Sequence, residues 1–160
     1  KMLHDKGLNR VLYSEEDLKK LILYTGHTKT EEEVSDGYLW DFFTPDEVVK
    51  IGWRLAYKYG FTAYQSTKIL EPSCGIGRFL RYAPDICKVT GYDIDETSYK
   101  IAKLLFPRFT IINESFETAF YYKSGLSNYD YKASWETYDL AIGNPPYKYP
   151  YESNFSKNNF

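Results

Sequence analysis

The stretch Ile69-Leu-Glu-Pro-Ser-Cys-Gly-Ile-Gly-Arg-Phe-Leu80 constrains this chain more than any other. A short apolar run ends on a carboxylate, breaks into a turn with two glycines, and resumes as a segment of helical character. That is the pattern of a strand, a ligand-binding loop and a helix, here expected from Ile76 to about Tyr82. Gly75 and Gly77 allow the backbone to approach a bound molecule closely, and Glu71 sets an acid at the end of the strand. Further on, Val89-Thr-Gly-Tyr-Asp-Ile-Asp95 is a second apolar run closing on an acid. An acid about twenty residues beyond a glycine loop serves to grip ribose hydroxyls, which makes a nucleoside the expected ligand. The loop is not G-x-G-x-x-G and has nothing to cradle a pyrophosphate, so a nucleoside without a diphosphate fits better.

The remaining chain alternates in the same way. Ser14 caps a short amphipathic helix that Gly26 ends. Residues 27 to 37 read as a polar linker in which Glu31, Glu32 and Glu33 form a solvated face. Phe42-Phe43-Thr44-Pro45-Asp46-Glu47 then starts a helix with Thr44 as N-cap, Pro45 at its first position and Glu47 completing a capping box. That helix is expected to run to about Tyr59 and to bury Val48, Leu55, Ala56 and Tyr59. Thr44 has two readings, a stabilising cap or a point where backbone N–H groups meet a carboxylate. After the glycine loop the spacing predicts a strand over 88–92 and a helix over 97–106 with Asp95 as its cap. A strand over 109–112, a short helix over 118–122 and a strand over 138–142 follow. Strands and helices alternating at this pace form a parallel sheet. The 69–71 strand is expected at its centre between 88–92 and 138–142, with 109–112 outermost. Right-handed crossovers then bring the glycine loop and Asn144 to one edge.

Composition narrows the class. At 160 residues and 43% hydrophobic content the chain is one domain's length with enough apolar material for a core. A formal charge of −2 does not suit a domain that holds nucleic acid unaided, because non-specific affinity comes from phosphate neutralisation. No apolar run reaches membrane-spanning length and no signal peptide opens the chain, which points to a cytoplasmic protein without a membrane partner. Two cysteines, Cys74 and Cys87, suit reduced thiols and no metal site. Cys74 has no histidine nearby in sequence to activate it, so loop packing is its expected role.

Asn144-Pro145-Pro146-Tyr147 follows the last strand directly. Two prolines stiffen this loop and hold its carbonyls in place. Asn144 supplies a side-chain acceptor, the Pro145 carbonyl a second, and Tyr147 a flat ring, an arrangement suited to a planar substrate bearing an amino group.

Four elements in this order resemble the S-adenosylmethionine-dependent N6-adenine DNA methyltransferases of restriction-modification systems. They are Phe43-Thr44-Pro45, the Glu71 to Phe79 loop, Gly91-Tyr-Asp-Ile-Asp95 and Asn144-Pro-Pro-Tyr147, and the likeness covers roughly residues 40 to 150. It implies a Rossmann-like methyltransferase fold, an α/β parallel sheet with flanking helices. It also implies three parts: an N-terminal helix and linker (1–37), a partial cofactor-binding core (38–148) and a polar tail (149–160). By the same likeness Thr44 touches the methionine carboxylate, while Glu71, Pro72, Ser73, Cys74, Gly75 and Gly77 hold the methionine part. Asp93 takes the ribose, Ile94 the adenine ring, and Asn144 belongs to both cofactor and substrate sites. Asn144, Pro145, Pro146 and Tyr147 would act on a flipped adenine of double-stranded DNA.

Two departures from the family pattern stand out. Where relatives carry an Asp-Phe pair after the third strand, this chain has Glu114-Ser115-Phe116, so Ser115 or Glu114 takes the polar role beside Phe116. The chain also stops thirteen residues after Tyr147. The family continues with three further strands and a target-recognition region, so the resemblance implies truncation after the fourth strand, little activity alone, and self-association through an open sheet edge. Partners implied are double-stranded DNA, through the missing region, and restriction or specificity subunits. Alternatives are a methyltransferase acting on a protein glutamine or an RNA base, and a cofactor-binding module without chemistry.

Overall fold

The computed structural model describes residues 2–25, 44–116 and 137–145. Helix α1 (Met2–Lys6), a 3-10 turn (Arg10–Leu12) and helix α2 (Glu15–Ile22) open the chain. Helix α3 (Asp46–Lys58) leads into strand β1 (Lys68–Glu71), the glycine loop and a 3-10 turn at Leu80–Tyr82. Strand β2 (Lys88–Tyr92), helix α4 (Glu96–Leu105), strand β3 (Thr110–Ile112) and strand β4 (Leu140–Ala141) complete the described elements.

The four strands form one parallel sheet in the order β3-β2-β1-β4, as the alternation predicts. Burial explains the order. Ile69, Leu70 and Glu71 of β1 are all buried, as a central strand covered on both faces requires. β4 meets only β1 among the described strands, and Asp139 fixes its register by accepting from the Lys68 amide at 2.7 Å.

Three local expectations need correction. Thr44 is not the helix cap: Pro45 occupies that position without a side-chain bond, and Glu47 pairs with Lys50 instead of closing a capping box. The face of α3 that enters the core is also rotated from the expected one. Val49 and Trp53 are buried, whereas Val48, Leu55 and Tyr59 are exposed. The reason lies at Gly52, where an added Cβ would come within 3.3 Å of Phe79, so the helix approaches the sheet along the Val49–Gly52–Trp53 face. Trp53 also gains a carbonyl acceptor, Phe79 O at 3.0 Å, for its buried indole N–H. A buried aliphatic or aromatic side chain contributes about 1.5–3 kcal/mol, more than a cap's roughly 1 kcal/mol, so packing decides the rotation. Third, residues 76–82 do not form an α-helix. Gly75 (φ 52°) and Gly77 (φ 87°) hold left-handed backbone, and the segment proceeds by turns such as Gly77 N–H to Cys74 O, 2.8 Å, until Pro84.

The N-terminal helices pack on α4. Tyr13, Leu18 and Leu21 share one buried cluster with Ile101 and Leu104 of α4 and with Ile76 of the glycine loop. The sheet's own core gathers Val49, Trp53, Ile69, Cys74, Phe79 and Leu80 in a separate cluster. The expected helix at 118–122, Pro146, Tyr147 and the tail lie outside the described residues.

Candidate functional site at the carboxyl edge of the sheet

β1 ends on Glu71, which is only 2% exposed. Its stem packs against the backbone that leaves β4: a Cβ at Gly143 would lie 3.3 Å from Glu71 Cγ and 3.5 Å from Pro72 Cδ. A side chain there would force the Glu71 stem to give by a few tenths of an ångström, so the glycine eases the meeting of the two strand ends. Oε2 of Glu71 has no hydrogen-bond partner among the described residues. Burial, and secondarily the nearby Asp93 charge, push the Glu71 carboxyl well above the usual carboxylate range, with a backbone hydrogen bond at Leu80 pulling the other way. A buried acid left half-satisfied beside another acid is costly to the fold, and such groups cluster at functional sites.

The loop that follows is fixed by its glycines and by β2. A Cβ on Gly77 would fall within 2.8 Å of Phe106 Cδ2 in a backbone conformation that L residues avoid. Cys74 N–H donates to Tyr92 O at 2.8 Å, and Gly75 N–H donates to Asp93 Oδ2 at 2.6 Å. Asp93 Oδ1 accepts from Asp95 N–H at 2.9 Å, and the Asn113 amide donates to Asp93 O, also at 2.9 Å. Asp93 thus joins the glycine loop, the start of α4 and the end of β3. Cys74 is buried beneath Gly91, where a Cβ would meet its Sγ at 3.1 Å. Burial, then the Glu71 and Asp93 charges, push its thiol well up, so Cys74 stays a packed thiol and not a nucleophile.

Several of the other expected site residues flank this edge. Ile94, next to Asp93, is 60% exposed, an apolar surface facing out beside the acid. Phe116 stands edge-on to Tyr92 at 5.6 Å, and Ser115 beside it is half-buried. Ser73 Oγ is buried without a hydrogen-bond partner among the described residues. Thr44 is buried just ahead of α3, whose first turn is tied to the segment after the loop by Tyr82 O–H donating to Asp46 at 2.7 Å. Asn144 is half-buried and Pro145 exposed, directly beyond Gly143. Glu71, Pro72, Cys74, Gly75, Asp93 and Gly143 are therefore brought into one neighbourhood, with Asn144 at its border. Among the described residues no group of three or more His, Cys, Asp or Glu is placed to hold a metal ion, and no helix is long and apolar enough to cross a membrane.

Sequence reading passes over Asn113, Gly91, Gly143 and Ile76. The glycines carry a readable signal, since a glycine inside or just after a strand marks a close backbone approach. Asn113 and Ile76 carry none, because their roles exist only once β3 and α2 are in place.

No protein-family model matches the chain. It is 30% identical over 124 residues to the type II methyltransferase M.CvrRI of Paramecium bursaria Chlorella virus XZ-6E, an alignment covering 74% of this chain and 26% of that protein. The chain thus spans about a quarter of the length of the relative it matches. Among solved structures, it superposes on a provisionally assigned RNA methyltransferase of Pyrococcus horikoshii with a TM-score of 0.51 at 15% identity, covering 84% of this chain and 60% of that one. A type I restriction-modification methyltransferase subunit of Streptococcus thermophilus gives a TM-score of 0.49 at 19% identity, over 66% of this chain and 23% of that one. The sequence is homologous to a methyltransferase, and the fold is the Rossmann-like methyltransferase fold.

Proposed function

We propose that this chain is the cofactor-binding part of an S-adenosylmethionine-dependent DNA methyltransferase that modifies the N6 amine of adenine. The observation that carries the reading is the convergence of the glycine loop, Asp93 and the Gly143–Pro145 segment at one end of β1, β2 and β4. The group fits what the edge presents. The buried Glu71 Oε2, unpartnered among the described residues, suits a ligand carrying positive charge, the left-handed Gly77 lets the loop turn tightly against Phe106, and Asp93 has two carboxylate oxygens for a diol. Glu71, Ser73 and the loop backbone would hold the methionine part, Asp93 the ribose, and Ile94 with Phe116 the adenine.

When bound, the cofactor supplies an electrophilic methyl group on a cationic sulfur. The chain's own contribution is positioning and hydrogen bonding. Asn144 Oδ1 and the Pro145 carbonyl accept the two N–H bonds of the target amine, which turns its lone pair out of conjugation with the ring. No side chain need form a covalent bond to substrate, which agrees with the inert state of Cys74. Extruding a base from a duplex costs a few kcal/mol, so phosphate contacts are expected from other parts of the parent protein or from partner subunits.

The test is a transfer assay with methyl-labelled cofactor, using the full-length parent protein on adenine-containing duplex DNA, RNA and glutamine-bearing peptides. Label in DNA at adenine N6, lost in Asn144→Ala, is the expected result. Label appearing only in RNA or peptide would reassign the substrate, and cofactor binding with no transfer to any of them would make the chain a binding module.

A further inference from the structure

The glycine loop is held from two sides, and one of them is the N-terminal segment. Cys74, Phe79 and Leu80 anchor the loop into the sheet's core. Ile76, placed between the two left-handed glycines and only 3% exposed, belongs instead to the cluster built by Tyr13, Leu18 and Leu21 together with Ile101 and Leu104. Glycines on both sides of Ile76 give that stretch of backbone little intrinsic conformational preference. Its buried side chain therefore adds a second anchor to the hydrogen bonds that Gly75 N–H makes to Asp93 and Gly77 N–H makes to Cys74 O. The segment supplying that anchor is braced for the purpose. Ser14 and Asp17 close a full capping box on α2, Lys6 pairs with Asp17 at 2.6 Å, and Tyr13 O–H donates to Gly7 O at 2.6 Å. Arg10 Nε donates to Leu104 O at 2.9 Å, fastening the segment to the C-terminal end of α4.

Resting on the assignment of this loop to the cofactor, we propose that residues 2–24 act as a strut that holds the cofactor loop in its binding geometry through Ile76. Tyr13, Leu18 and Leu21 are then positioning residues for cofactor binding. Loosening the strut weakens the hold on Gly75–Gly77 while leaving the side chains of Asp93, Glu71 and Asn144 chemically unchanged, so cofactor affinity falls without any of those side chains being removed.

The experiment is a double-mutant cycle on the full chain, read by calorimetric titration with S-adenosylmethionine and by hydrogen exchange at the Gly75 and Gly77 amides. Leu21→Ala should weaken binding roughly tenfold and speed exchange at both glycines. In an Ile76→Ala background the same substitution should cost less than about threefold, because the coupled partner is already gone. Phe61→Leu serves as control. Phe61 packs on Trp53 and Tyr57 beyond the end of α3, and its substitution should lower the melting temperature yet leave affinity within about twofold. Should Leu21→Ala fail to fold, Leu21→Val takes its place, with glycine exchange as the deciding readout. Wild-type affinity and exchange in the Leu21 variant, or losses that simply multiply in the double variant, would overturn the strut. Unchanged binding in Asp93→Ala would instead overturn the assignment of the site on which the strut rests.

Discussion

Asp17, in the N-terminal segment, and Glu71, at the sheet edge, are acids in opposite circumstances. Asp17 Oδ2 accepts from Lys6 Nζ at 2.6 Å and from the Ser14 amide at 3.0 Å, and the Lys6 bond, followed by the Ser14 amide, lowers its carboxyl to about 2. Glu71 is buried with one oxygen unpartnered among the described residues and a second acid nearby, and its carboxyl is displaced the other way. The first acid is satisfied by its own neighbours and stabilises the element it sits in. The second has no such partner among the described residues, and in the proposed function it faces the bound cofactor, which is how a binding site would differ from a structural ion pair.

The sharpest way to break this contrast is Gly77→Ala. Left-handed backbone and overlap with the Phe106 ring together should cost about 2–5 kcal/mol of unfolding free energy, measured by chemical denaturation, with cofactor binding lost. A variant as stable as the parent would show that the loop is not held as described. Asp93→Ala comes next. On the proposed ribose assignment it removes charge-assisted hydrogen bonds worth about 1.5–3 kcal/mol, and calorimetry should record an affinity loss of tenfold or more.

Glu71→Gln separates the two regions most clearly, because stability and binding should move in opposite directions. A group whose folded pKa is raised contributes stability that is full below its ordinary range and is lost as pH rises through the raised value. The parent should therefore lose stability on going from about pH 5 to 8, and the glutamine variant should be the more stable of the two at about pH 8 by roughly 1–3 kcal/mol while binding the cofactor more weakly. The depressed carboxyl of Asp17 has the opposite sign, its contribution being present above the ordinary range and lost only as pH falls through about 2. Ser14→Ala is the smallest expected effect. Loss of the cap should lower unfolding free energy by about 1 kcal/mol, equally at both ends of that pH window, as urea melts at each pH would show.

Much of the sheet was legible in the sequence because each strand is a short apolar run, and two of them end on an acid. The parallel order follows from that alternation, and β3-β2-β1-β4 agrees with it. The face of α3 was not legible. Gly52 carries no hydrophobic signal, and the acceptor for the Trp53 indole lies on Phe79, in a segment fixed only by tertiary structure. The turns over 75–82 read as a helix because composition does not reveal positive φ at Gly77. In the candidate site, the identities of Glu71, Gly75, Gly77 and Asp93 were readable from spacing, whereas the orphaned state of Glu71 was not, since it arises from the packing of Gly143 and from Asp93 across the edge. α1 has five residues, too few to show a helical period.

The central claim is that the cofactor lies along the carboxyl edge of β1, β2 and β4, and nuclear magnetic resonance tests it without relying on turnover. Titrating S-adenosylmethionine into isotopically labelled protein should shift the backbone amides of Ser73, Gly75, Gly77, Asp93, Ile94 and Asn144, while those of Phe61, Thr62 and Thr67 stay in place. Absence of any shift at saturating cofactor, or shifts confined to residues away from that edge, would contradict it.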